Sequence, residues 1–360
     1  MRDSVYTEIH QPEYLSPVSL DTYLEQGWFR MGQMIFTCHF LCFHNQLYSA
    51  IWTRLALNGY GFSKRQRKLL SRNKCRFVTK VRPAIFNQEK EELYQKHCHR
   101  FEGYVARTLE ESLFGDSNIN IYNTYEVAVF DGDRLVAVSF FDVGASSLAS
   151  IMGLYDPDYA RHSLGYYTML IEILFGIQHN MQFYYPGYVV PGYERFDYKL
   201  RIGAMDYYEY ESREWIPYKG IDTDQLPAER MVQALSELQD ALDAAKVPSR
   251  LLLYPLYDKK LFGLKQEESV RNPLLLVIDS REDQHKWIIA EYELSTKQFR
   301  ISEVHRIEEA SLLIYQLFKD YDLNKSCLNF LVREQTLFNA DVAQQVTQQI
   351  KRLRVSGSSF

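Results

Sequence analysis

Residues 125–155 read "YEVAVFDGDRLVAVSFFDVGASSLASIMGLY", and their pattern sets the architecture. Two β-rich apolar runs, 125–130 and 134–143, flank Asp131-Gly132-Asp133. An Asp-Gly pair between such runs predicts a hairpin, because a tight turn needs backbone angles that glycine adopts without cost. Residues 147–155 supply a third antiparallel strand. Downstream, "DPDYARH" is a turn. From Ser163 to about Gly176 the chain carries Leu164, Tyr167, Ile171, Leu174 and Phe175 at helical spacing. "QFYYPGYVV", residues 182–190, returns as a strand. Three meandering strands, a helix and a further strand predict an α+β, mixed-sheet core over residues 111–222.

The flanks organise around that core. Residues 17–26 suit a short helix capped by Ser19 or Asp21, with Tyr23 and Leu24 inward. "WFRMGQMIFTCHF" (28–40) is extended, and residues 46–57 are β-rich. Residues 63–74 suit a helix capped by Ser63, and residues 87–112 a polar helical region. A tail over 205–222 closes the core. Pro227 opens a linker helix to about Lys246, within a linker region of 223–249. Residues 250–360 read as a second, small α/β domain, with strands at "NPLLLVID", "KWIIAEYELS" and "QFRISEV" and helices near 308–320 and 338–353. Residues 1–110 form an N-terminal region.

Composition narrows the function classes. The 360 residues carry a net charge of −5, which does not announce a nucleic-acid binder. The average hides a patch: from Lys64 to Arg82 there are nine basic residues and no Asp or Glu. Such clustering suits phosphate contacts, through counterion release. "MRDSVYTEIH" has no apolar leader core, and no run is long enough to span a bilayer, so a cytoplasmic protein is expected. Five Cys, an odd number, make no disulfide framework. Cys38, Cys42 and His44 lie close enough to ligate a metal, although alternate strand positions place both cysteines on one packing face. No cofactor is expected.

The turn before the helix is the first candidate site. A helix opening near Ser163 presents free N–H groups and the positive end of its dipole. Arg161 and His162 precede it, and Gly165 lets a ligand approach the backbone. The bland alternative is an ordinary Ser-capped helix after a Pro-Asp turn. No Ser-His-Asp or Cys-His spacing suggests a covalent nucleophile.

Four blocks together, "GFSKRQRKLL", "DRLVAVSFFDV", "LYDPDYARHSLGYYTMLIEI" and "YYPGYVVPGYERFDYKLRIG", resemble the aminoacyl-tRNA–protein transferases, the arginyltransferases and bacterial leucyl relatives of the N-degron pathway. "SLDTYLEQGWFRMG" resembles that family's opening segment, so the likeness runs over roughly residues 12–210. The resemblance implies a GCN5-like N-acetyltransferase (GNAT-type) fold. It also implies transfer of an amino acid, arginine ahead of leucine, from charged tRNA to proteins with acidic N-termini.

Carried onto this chain, the resemblance places Arg54, Arg65, Gln66, Arg67 and the adjacent Lys68 at or beside tRNA. It places Arg161, Ser163 and Gly165 at the tRNA's terminal adenosine or phosphate. Tyr188, Tyr198, Lys199 and Arg201 fall where such folds line the cleft, with Tyr198 as proton relay and Lys199 or Arg201 toward the tRNA or the acidic N-terminus. Asp156 is a candidate for the donor's amino or guanidino group, or is simply turn chemistry. Two departures stand out. The family's cysteine positions fall on His44, Leu47 and Ala50, and Glu194-Arg195 replaces the end of a Ser-Pro-Lys run. The alternatives are a CoA-dependent N-acetyltransferase, whose phosphate-loop pattern fits poorly here, and a non-catalytic adaptor for tRNA or N-degrons.

Overall fold

The computed structural model describes residues 6–99, 105–115, 117, 119–257, 269–281, 286–307 and 320–355. They fall into two compact units: residues 9–37 with 51–221, and residues 1–8 with 38–50 and 222–360.

The first unit contains α1 (Pro17–Glu25), β1 (Ile51–Ala56), α2 (Lys64–Arg76), β2 (Val78–Pro83), α3 (Gln88–Cys98), β3 (Thr124–Asp131), β4 (Arg134–Val143), β5 (Ser147–Tyr155), α4 (Leu164–Gln178), β6 (Phe183–Val189), β7 (Met205–Glu209) and β8 (Glu214–Pro217). Its eight-stranded sheet runs β8-β7-β1-β6-β5-β4-β3-β2. The predicted hairpin is present, with Asp131 paired to Arg134 and Gly132 at φ +61°. Strands β2 to β5 pair antiparallel with one another in succession, and α4 carries the chain to β6, parallel to β5. The α+β expectation therefore holds. The predicted tail became two further strands, because Met205–Glu209 pairs with β1.

Helix α4 packs over the sheet with Leu164, Tyr167, Leu170 and Ile173 buried. Ile171, Leu174 and Phe175, which share the apolar helical spacing, are half-buried. Helix α1 is capped by Ser16, whose side chain accepts from the Ser19 N–H, not by Ser19 or Asp21. Asp21 instead receives the Ser146 N–H at 2.7 Å and the hydroxyls of Ser146 and Ser147, fixing the turn before β5. Tyr23 is half-buried; Leu20 and Leu24 face the core.

The second unit contains α5 (Pro227–Ala244), β9 (Arg250–Leu253), β10 (Leu274–Arg281), β11 (Lys286–Glu293), β12 (Gln298–Ile307), β13 (Phe330–Ala340) and α6 (Ala343–Val355). The sheet is wholly antiparallel, in the order β9 to β13. Helix α5 is not a linker. Met231, Leu235, Leu238 and Leu242 recur at helical spacing and are fully buried in this unit's core, which also takes in Phe40. The sequence boundaries at 110, 222 and 249 thus differ from the compact units, chiefly because residues 38–50 join the second. The helix predicted near 308–320 lies almost wholly outside the described residues, and the stretch 338–340 ends a strand before α6 begins. Among the described residues, no helix is long and apolar enough to cross a membrane.

Candidate active site

The site begins where β5 and β6 part. They pair only through Ser147–Phe183, Leu148–Tyr184 and Ala149–Tyr185, although β5 continues to Tyr155 and β6 to Val189. Each strand stays paired on its far side, with a bulge between Ser150 and Met152 against β4 and another between Tyr184 and Gly187 against β1. The bulges bend both strands at the same level, which opens a wedge between parallel strands. Main-chain groups bordering such a wedge are available to an extended peptide or an acyl chain.

Helix α4 starts at one end of β5. Asp156 caps the 3₁₀ turn Pro157–His162, accepting from the Asp158 N–H at 3.1 Å. It also binds Arg134 at 2.5 Å and Lys96 at 3.6 Å. Burial opposes its charge, but these partners outweigh it and hold the carboxyl below its ordinary range. Asp156 is therefore a turn residue, occupied by protein partners, and not an open receptor for a guanidino group. Ser163 is exposed at φ +53° and makes no side-chain cap bond, so the Ser-capped alternative is not what forms. The first N–H groups of α4 are left for another acceptor. Gly165 is half-buried, and a Cβ there would lie 3.5 Å from the Tyr155 ring, in ordinary contact. Arg161 is exposed beside His162, which its Nε meets at 3.2 Å.

The basic helix α2 adjoins this opening. Lys64, Arg65, Arg67, Lys68, Arg72, Lys74 and Arg76 are exposed, and the buried residues of the helix are Gln66 and Asn73. Gln66, expected at tRNA, is structural. It closes a capping box with Ser63 and donates to the Ile202 carbonyl at 2.9 Å and to the Tyr166 hydroxyl at 3.1 Å. Arg67 is exposed, with Nη1 on the Phe62 carbonyl at 2.6 Å. Arg201 is exposed, its guanidinium 5.3 Å from the Tyr166 ring centre. Arg161, Arg201 and the exposed face of α2 thus border one helix N-terminus.

On the β6 side, Lys199 donates from Nζ to the Tyr188 carbonyl at 2.9 Å, over the rings of Tyr188 and Phe196. Burial pushes its ammonium down to about 7. Gly187 approaches it closely at φ +87°. Tyr188 packs edge-on against Trp52, with its ring centre 5.2 Å away. Tyr198 is 41% exposed. Arg54 lies farther along the sheet, between Asp206 (3.4 Å) and the rings of Phe183 and Trp215 (4.1 and 4.7 Å). Its guanidinium is a structural clasp rather than part of the opening.

The sequence reading missed Glu172. It is fully buried on α4 at the level of the wedge. Ser139 donates to its Oε1 at 2.5 Å and Tyr184 to its Oε2 at 2.7 Å, with Ser150 nearby. Burial raises its carboxyl to about 7 against these donors. The signal was present: Glu172 is the one charged residue in "LGYYTMLIEILFGIQ", a helix that is otherwise mostly apolar.

Among the described residues, no three His, Cys, Asp or Glu side chains gather as metal ligands. Burial, and then the neighbouring Cys38, push the Cys42 thiol well above its ordinary value, which suits packed thiols more than bound thiolates. His44 sits in the turn between the short strands Phe40–Phe43 and Gln46–Ser49.

Residues 88–209 match the family model for the C terminus of arginine-tRNA-protein transferases. A protein from Leptospira interrogans named aspartate/glutamate leucyltransferase is 26% identical over 193 residues, 52% of this chain and 73% of that protein. One of the same name from Campylobacter jejuni is 29% identical over 182 residues, 49% of this chain and 74% of that protein. Among solved structures, a GNAT-family acetyltransferase from Streptococcus pneumoniae aligns over 29% of this chain and 71% of its own, at 23% identity and a TM-score of 0.21.

Proposed function

We propose that the chain is an aminoacyl-tRNA–protein transferase, a reading supported by its likeness to that family, and that it moves an aminoacyl group from charged tRNA to the N-terminal amine of proteins beginning with Asp or Glu. The observation that carries the reading is the uncapped N-terminus of α4 beside the parted strands, bordered by Arg161, Arg201 and α2. That end of the helix suits the terminal phosphates of a tRNA acceptor end. The exposed arginines and lysines of α2 suit the acceptor-stem backbone.

The chemistry needs little beyond alignment. An α-amine has a pKa of about 7.7 to 8.0, so part of it is neutral near pH 7. The ester is already activated. Holding amine and carbonyl together supplies roughly 7–11 kcal/mol of the barrier. The acceptor's first residues lie extended in the wedge between β5 and β6. The ammonium of Lys199 and the guanidinium of Arg201 face an acidic first side chain.

The donor we infer is leucine. The expectation of arginine came from the family resemblance, and Asp156, the candidate receptor for a guanidino group, is occupied by Arg134 and Lys96. The similar curated proteins carry leucyl in their names. We place the reaction in the cytoplasm, where charged tRNA is found.

The test is transfer of radiolabelled amino acids from bulk charged tRNA to peptides starting with Asp, Glu or Ala. Leucyl label on the Asp and Glu peptides alone supports the reading, and arginyl label on the same peptides changes the donor. Tight tRNA binding without transfer of any of the twenty amino acids would replace the enzyme with an adaptor.

A further inference from the structure

Glu172 is a carboxyl group buried, among the described residues, without a counter-charge. The groups facing it come from each strand packed around it: Ser139 on β4, Ser150 on β5 and Tyr184 on β6. Tyr198, in the turn 194–202, feels its charge, and Arg195 acts in turn on Tyr198. Among the described residues, no Lys, Arg or His contributes to its surroundings. Burying a carboxylate this way is costly, and a leucine would fill an otherwise apolar helix face more cheaply. The hydroxyl groups of Ser139 and Tyr184, from two strands, nevertheless hold it in one geometry.

This cluster has an outlet. Ser139, Tyr184 and Glu172 are fully or almost fully buried, but Ser150 is only half-buried. Ser150 pairs with Phe141, on the sheet face that α4 covers, and lies beside both Glu172 and Tyr184. It is also the residue after the last β5–β6 pair, Ala149–Tyr185, so its hydroxyl stands where the wedge opens. The carboxyl thus connects to the wedge through one side chain.

We propose that Ser150 and Glu172 form a proton relay for the acceptor amine, with Ser150 meeting the attacking nitrogen and Glu172 acting behind it as a positioning residue that stores the proton. The inference rests on the transferase reading. The amine nitrogen attacks the ester carbonyl carbon, forming the C–N bond and placing the carbonyl's electron pair on oxygen. The nitrogen, now positively charged, gives one proton to Ser150 Oγ while the Ser150 hydroxyl proton passes to a Glu172 oxygen. When the adduct collapses, the bond from carbon to the ribose oxygen breaks. That oxygen takes the proton back along the same path, leaving an amide, a free ribose hydroxyl and the Glu172 carboxylate. Tyr184 keeps the second carboxylate oxygen in place throughout. A carboxyl raised to about 7 by burial lies near the α-amine it serves, where proton exchange is most effective.

The experiment measures kcat and KM for charged tRNA, at saturating acceptor peptide, from pH 5.5 to 9 in the full chain, in Glu172→Gln, Glu172→Asp and Ser150→Ala. The relay requires Glu172→Gln and Ser150→Ala to lower kcat by at least about 10-fold with KM for charged tRNA unchanged. It also requires the acid limb near pH 7 to vanish in Glu172→Gln and to return, at lower rate, in Glu172→Asp. If Glu172→Gln does not fold, Ser150→Ala, at a half-buried position, carries the test by itself. Wild-type kcat in both Glu172→Gln and Ser150→Ala, or a lower kcat with the acid limb unmoved, overturns the relay and leaves the transferase intact. A wild-type chain that transfers none of the twenty amino acids overturns the transferase and the relay together.

Discussion

Asn73, fully buried in the basic helix α2, donates from Nδ2 to the backbone carbonyl of His162 at 3.0 Å. That bond joins the helix carrying the cationic surface to the turn that opens α4. The basic face and the uncapped N–H groups are thereby fixed in one arrangement. Asn73→Ala leaves the His162 carbonyl without this donor and is expected to cost about 1–3 kcal/mol of stability. Charged-tRNA affinity should fall as well, because the two halves of the surface lose their registration. Urea denaturation and filter binding check the pair of effects. A variant that loses stability alone would show the turn held by other contacts.

Neighbouring residues in α2 should separate by role. Arg65 and Lys68 are exposed, whereas Gln66 is 5% exposed and hydrogen-bonded within the fold. Arg65→Glu and Lys68→Glu are expected to leave stability within about 0.5 kcal/mol. Each should reduce the slope of log affinity for tRNA against log salt by about 1. Gln66→Ala should do the reverse, lowering stability by about 1–2 kcal/mol through loss of the capping box, with the slope kept. Binding titrations at three or more salt concentrations decide between them.

These contrasts show what the sequence carried. Strands β4 and β5 are legible to their observed limits, because short β-rich apolar runs bounded by Asp-Gly and Gly-Ala-Ser have one reading. The positive stretch in α2 was legible as charge, and its exposed residues are those the pattern offered. Gln66 was misplaced because sequence order says nothing about which face of a helix packs. The surroundings of Asp156 and Arg54 are illegible for a related reason: their partners Arg134, Lys96 and Asp206 are distant in sequence and come together only through the sheet. The parting of β5 and β6 was invisible, since it arises from two bulges on different strands. Residues 38–50 look continuous with β1, yet they belong to the other compact unit.

Gly187 tests the geometry on the β6 side. It sits at φ +87° in the bulge, and a Cβ there would lie 3.3 Å from Lys199 Nζ. The Gly187 carbonyl also accepts from Thr53 Oγ1 at 2.7 Å, which pins the bulge to β1. Gly187→Ala is expected to destabilise by about 1–2 kcal/mol, since the side chain meets an unfavourable backbone conformation. Lys199 must also shift from the Tyr188 carbonyl. The matching kinetic expectation is a raised KM for peptides beginning with Asp or Glu, with KM for tRNA kept. Unchanged peptide KM would remove Lys199 from the acceptor's surroundings.

Lys199 has its own pH signature. Its folded-state value is about 7, against roughly 10.4 for a lysine in the unfolded chain. Between those values the unfolded chain holds a proton that the folded chain lacks, so this group makes stability rise with pH. Its penalty is greatest below about pH 7 and fades toward pH 10. Lys199→Met removes the penalty. Its gain over wild type should be largest near pH 6.5 and smallest near pH 9.5 in paired denaturation curves, and a gain independent of pH would mean that Lys199 is not desolvated.

Glu172 runs in the opposite sense. Its carboxyl is raised from 4.5 to about 7, so the folded chain binds the extra proton across that interval. Stability from this group is therefore full below about 4.5 and is lost as pH rises through about 7. A displacement of that size corresponds to roughly 3 kcal/mol at pH 8. Glu172→Gln cannot ionise. It loses the carboxylate's hydrogen-bond geometry at every pH, a constant cost, but it escapes the cost of a buried charge. The difference in unfolding free energy, variant minus wild type, should thus move in the variant's favour between pH 5 and pH 8. The opposite movement would mean that the Glu172 carboxylate is stabilised in the fold, as it would be beside a cation. A flat difference would place its titration in the ordinary range and take away the proton-storing property that the relay requires.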